Sequence, residues 1–119
     1  MDYSQLSDFE INKRVGIALG KEIMPDDCQD FGLSGFPEVM LRNGDIKDYC
    51  NDPADAWPII VDNEISLNSY SGTWEASYEY DAPIGAFGTD ELVTKAVEGK
   101  NPLRTAMIAF LMKREHANA

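Results

Sequence analysis

Histidine is nearly missing from this 119-residue sequence, in which His116 stands alone. A Ser-His-Asp or Cys-His arrangement would have to be built on that residue, in a tail expected to fray. Cysteine is scarce as well: Cys28 and Cys50 are the two present, without a CxxC spacing. They cannot form a disulfide framework, and with His116 they cannot fill a four-ligand zinc site unless carboxylates join them. Both are read as reduced thiols. No phosphate-binding GxxxxGK[ST] loop, no GxGxxG after a strand and no EF-hand spacing occurs. Long apolar runs are absent too. The longest, Ala106 to Met112, falls far short of the ~20 residues of a membrane span. The start, Met1-Asp2-Tyr3-Ser4, lacks the charged and apolar regions of a signal peptide. Together these absences point to a cytoplasmic protein with no catalytic residue, metal or cofactor to name. Basic residues are also few, 10 against 21 acidic ones, for a formal net charge of −11. Such a field repels phosphates, which disfavours direct binding to nucleic acid or to an anionic membrane.

What is present suits a folded chain. Hydrophobic residues make up 44%, enough for one domain over residues 1–119 to build a core without staples. Ser7-Asp8-Phe9-Glu10 is a capping box, and Ile11, Val15, Ala18 and Leu19 follow at helical spacing up to a stop at Gly20. Gly16, inside that helix, predicts close packing against another element. Residues 21–48 are rich in turn formers. A short strand is expected at Val39-Met40-Leu41, and Asn43-Gly44 suits a two-residue hairpin turn. Asn51 or Asp52 caps a second helix with Pro53 at its first position. Trp57, Ile60 and Val61 would then share its buried face. Pro58 either kinks this helix, the favoured reading, or ends it at Trp57.

The best strand pair is Glu64 to Asn68 with Thr73 to Tyr80, joined by a turn over Ser69 to Gly72. In the second strand Trp74, Ala76, Tyr78 and Tyr80 alternate with polar residues, so one face is wet and the sheet antiparallel. Ala82 to Gly88 reads as a loop, and Thr89 as the cap of a short helix ending near Gly99. Asn101-Pro102 opens a last helix that is apolar almost all round between Ala106 and Met112, and so is enclosed between layers or at a subunit contact. The expected class is α+β: a small antiparallel sheet, its hairpin at about 64–80, packed against N-terminal, middle and C-terminal helices.

Two stretches carry a resemblance. Asp48-Tyr49-Cys50-Asn51-Asp52-Pro53-Ala54-Asp55-Ala56-Trp57-Pro58-Ile59-Ile60-Val61 is one, and Asn101-Pro102-Leu103-Arg104-Thr105-Ala106-Met107-Ile108-Ala109-Phe110-Leu111-Met112 is the other. With Met1 to Val15 they resemble the NinX-like family of tailed-phage and prophage proteins over most of the chain. The resemblance implies a phage accessory role in the host cytoplasm and brings no catalytic assignment. A fainter likeness, to phage α–β–α sandwich domains, implies that layering.

Candidate binding residues come from these segments and the hairpin: Tyr49, Asn51, Asp52, Asp55, Trp57, Trp74 and Arg104. Asp45, Asp48, Asp52 and Asp55 could cluster near the second helix's start, as a hard-cation site or, more simply, as caps and a solvated acidic face. Arg104 lies in the first turn of a helix, where the dipole disfavours a cation, so a compensating anion is expected, from Asp52 or Asp55. Trp57 is expected in the core, and Trp74 in an aromatic row that the last helix could cover. The leading functional expectation is a non-enzymatic phage protein that binds a host or phage protein, with self-association through residues 102–115 as one form of this. An acidic nucleic-acid mimic and a small carboxylate-metal enzyme are the competing ones.

Overall fold

The computed structural model describes residues 1–83 and 90–117. Ser7 opens helix α1 (Asp8–Ala18), its side-chain oxygen accepting the Glu10 N–H, and Gly20 at φ 78° closes it while the Lys21 N–H returns to the Gly16 carbonyl. Gly16 does pack closely: a Cβ there would meet the terminal methyl of Ile23 at 2.7 Å, so that side chain would have to shift. The turn-rich stretch holds a four-residue helix α2 (Asp30–Leu33) and a small hairpin of β1 (Val39–Met40) and β2 (Ile46–Lys47). Its loop differs from the two-residue turn expected. Gly44 lies at φ 93°, its N–H bonds to the Leu41 carbonyl, and the Leu41 N–H bonds to the Asp45 carbonyl. This is the three-residue loop in which a type I turn is followed by a left-handed glycine.

Helix α3 (Pro53–Asp62) is capped by Asp52, whose carboxylate accepts the Ala54 N–H, and it runs on through Pro58. The end of this helix delays the next strand. Glu64 adopts φ 53°, and the N–H groups of Glu64 and Ile65 bond back to the carbonyls of Val61 and Ile60. With those donors engaged at the helix end, β3 starts late, at Ser66–Tyr70 rather than Glu64. Ser71 and Gly72, at φ 51° and 82°, form the two-residue turn into β4 (Thr73–Pro83). Residues 90–99 form strand β5 (Asp90–Gly99), paired with β4 along its whole length, where a short helix was expected. Val93, Lys95 and Val97 alternate against Tyr80, Tyr78 and Ala76, and that pairing outweighs helical spacing. The loop expected from Ala82 starts later, because Ala82 and Pro83 still pair with β5 as part of β4; its remainder, 84–88, and the Thr89 cap lie outside the described residues.

Helix α4 (Pro102–Ala117) packs on β4 and β5 and also on α1 and α3. Thr105, Ala106, Met107, Ala109, Phe110 and Leu111 are all buried on it, which accounts within the chain for its apolar girth. The class is α+β, with α4 itself as the middle layer between the three-stranded sheet and the other long helices. The α–β–α alternative would have put the sheet there. Ile11, Val15, Ile60, Ala76, Tyr78 and Phe110 belong to one core cluster. Among the described residues no helix is long and apolar enough to cross a membrane.

Candidate functional site

Three helices begin at one place. Asp8 opens α1, Asn51 precedes the cap of α3, and Asn101 caps α4 by accepting the N–H groups of Leu103 and Arg104. Asn101 Nδ2 donates to the Cys50 carbonyl at 2.9 Å and to Asn51 Oδ1 at 3.0 Å, and Asn51 Nδ2 donates to Asp8 and Asp48. Arg104 does have a compensating anion, but a different one from those expected. Its Nη1 meets Asp8 Oδ1 at 2.7 Å, and its Nη2 donates to the carbonyls of Ser4 and Leu6. Asp52 is engaged as the α3 cap. Asp55 accepts the Asp48 N–H and lies 3.5 Å from Lys47. The positive ends of three helix dipoles explain why acidic side chains gather here. The group is cross-linked internally, and among the described residues no three His, Cys, Asp or Glu side chains are grouped to hold a metal ion.

Asn12 and Tyr49 support the same corner from below. Asn12 is fully buried and donates to the Pro37 carbonyl and to Asp48, while its Oδ1 accepts the Cys50 N–H. Tyr49 is buried in the core, and burial, with Asp55 and Asp45 nearby, pushes its hydroxyl up to about 12. Trp74 is half-buried and lies opposite Gly99, whose position leaves no room for a Cβ beside the Thr105 hydroxyl.

His116 is not in an extended tail. It lies within α4 and stacks on Tyr80, with ring centroids 3.9 Å apart and planes 9° apart. Both cysteines are free. Burial raises the Cys50 thiol far above its ordinary value. At half-buried Cys28 the thiol is also raised, first by the neighbouring Asp27 carboxylate and then by desolvation. We expect a thiol reagent to leave Cys50 untouched in the native protein and to react slowly with Cys28. Two thiols per chain should titrate after denaturation without reductant, and any smaller number would contradict two reduced cysteines.

Trp57 is 60% exposed, against the expectation of a core residue. The buried face of α3 is Ala56, Ile59 and Ile60. That set has the same helical spacing as Trp57, Ile60 and Val61, and the small Ala56 lets α3 seat closely while the indole stays out. Trp57 and Val61 instead line a cleft of about 620 Å³ with Ile60, Ser66, Glu79 and Leu92. Val61 and Leu92 are also more than half exposed. Isolated exposed apolar residues are ordinary, but three around one concavity form a candidate contact surface. Leu92 carries no such signal in the sequence, where residues 89–99 read as a helix.

Comparison with known proteins gives one family. The family model described as bacteriophage P22, NinX matches residues 2–114. No curated protein matches the chain.

Proposed function

The chain belongs to the bacteriophage P22 NinX family, and from that premise we propose that it is a phage accessory protein acting by binding another protein through the Trp57 cleft. The observation that carries this is the exposure of Trp57, Val61 and Leu92 around one concavity. Tryptophan is the residue most enriched among those that dominate binding energy, and its truncation commonly costs a complex 2 kcal/mol or more, about a thirtyfold loss of affinity. The polar corner around Asp8, Asn51 and Asn101 competes poorly as a contact site, because its side chains already hold one another.

The nucleic-acid mimic draws on Glu75, Glu79, Asp81 and Glu98, which alternate onto the outer sheet face. Ser77 interrupts that row between Glu75 and Glu79, and the apolar Leu92 sits opposite Asp81. The exposed indole favours a protein partner instead.

The test is recovery of a partner from phage-infected host lysate on immobilised protein. Trp57→Ser should reduce the recovered partner at least tenfold, with thermal stability unchanged to within about 0.5 kcal/mol, since the side chain is mostly outside. Leu33→Ser, at an equally exposed position elsewhere, should leave recovery intact. Equal recovery by Trp57→Ser and the parent would remove the reading.

A further inference from the structure

The cleft exists because the sheet is one strand short there. β4 runs from Thr73 to Pro83 and pairs with β5 from Trp74 onwards, but β3 accompanies it only from Tyr70↔Thr73 to Ser66↔Ser77. Beyond Ser77 the edge of β4 facing β3 has no strand partner among the described residues. In a two-residue hairpin the residues flanking the turn, here Tyr70 and Thr73, are the hydrogen-bonded pair. Alternation then directs the N–H and C=O groups of Glu75, Ser77, Glu79 and Asp81 towards β3. Ser77 is the last of these with a β3 partner. The N–H groups of Glu64 and Ile65 cannot extend the ladder, because they are held by the end of α3. The missing strand also explains the lining of the cleft. Trp57, Ile60 and Val61 come from its helical side, and Glu79 and Leu92 from the outer face of the sheet.

We propose that an extended segment of a partner protein, alternating apolar with basic residues, adds to β4 at Glu79 and Asp81 as the continuation of β3. This rests on the protein-binding reading of the cleft and gives it a mode and a chemistry. An added strand presents alternate side chains to the two sides of the gap. Those on the helical side meet Trp57 and Val61. The charge is set by the acidic groups at the gap: Glu64, Glu79 and Asp81 are all exposed. Lys113, the cation lining the cleft, is engaged by the Asn63 carbonyl at 2.7 Å. A net charge of −11 disfavours a second copy of this chain as the occupant and favours a basic one.

The probe is a seven-residue peptide, acetylated and amidated, in which lysine alternates with valine. It should bind saturably and slow amide exchange at Glu79 and Asp81, and the same peptide with glutamate for lysine should bind at least tenfold more weakly. Two further peptides are N-methylated at odd or at even positions, so that each loses the donors of one strand edge. One of them should lose binding and the other should keep it. On the protein, Asp81→Pro removes an N–H that faces the gap, while Tyr80 and Ala82 keep the β5 ladder, and it should cost at least tenfold. Absence of saturable binding by the parent peptide, or equal binding by both methylated peptides, overturns strand addition. If the partner recovered from lysate is lost by Trp57→Ser but not by Asp81→Pro, the cleft binds protein in another way and only this inference fails. If neither substitution matters, the protein-binding reading fails with it.

Discussion

Asn12→Ala is expected to destabilise the protein by about 3 kcal/mol, a fall in midpoint of roughly 10–15 °C for a chain of this size. Asn12 is fully buried on α1 and joins three separate segments. Its amide donates to the Pro37 carbonyl at 2.8 Å and to Asp48 Oδ1 at 2.9 Å, and its oxygen accepts the Cys50 N–H at 3.0 Å. Alanine removes all three bonds together. The Cys50 N–H is then left in a fully buried position, where an unpaired polar group costs about 1–3 kcal/mol. Asn12→Asp should be at least as harmful despite its near-identical shape, because it sets a second carboxylate against Asp48. Denaturant unfolding of the three proteins checks both statements. A loss below about 1 kcal/mol for the alanine variant would mean that water replaces the side chain at little cost.

Gln29→Ala should rank next, at about 2–3 kcal/mol, and its damage should be local first. Gln29 is 1% exposed. Its amide nitrogen donates to the carbonyls of Met24 and Met40, each at 2.9 Å, and its oxygen accepts the Met40 N–H at 2.8 Å. One side chain thus ties two lengths of backbone that have little regular structure of their own. Without it, the amides of Met24, Met40 and Arg42 should exchange markedly faster, while those of β4 and α4 slow or quicken only in step with global stability. Uniform acceleration across all five would show that residues 21–47 do not open as a separate unit.

These two residues mark the limit of what a sequence reveals. Helix ends were legible because their chemistry is local: Ser7, Asp52 and Asn101 each cap the helix that comes after them. The hairpin was legible because Ala76 and Tyr78 alternate with polar neighbours, and both are buried. Asn12 and Gln29 look like surface residues in the sequence, since their partners lie 5 to 38 positions away. The candidate site divides in the same way. That Arg104 needs an anion follows from its place in a helix. That the anion is Asp8 depends on α1 and α4 starting side by side, which no spacing reports. The exposure of Trp57 was hidden for a related reason. Two stripes of equal period compete on α3, and only the neighbours of the folded helix decide between them.

The central place of α4 has a consequence in time. Of the described elements it is the last to be translated, yet α1, α3, β4 and β5 all pack on it. The side-chain bond between Tyr3 and Glu115 spans nearly the whole chain. A growing polypeptide therefore carries Ile11, Val15, Ile60 and Tyr78 without their cover until residues 102–117 leave the ribosome, and its earlier segments have no common surface to condense on before then. Assembly of the core is thereby deferred until α4 has emerged, and the nascent chain must stay soluble until that point. A surplus of eleven negative charges, which repel one another and hold unfinished chains apart, suits that interval as well as it suits the finished protein.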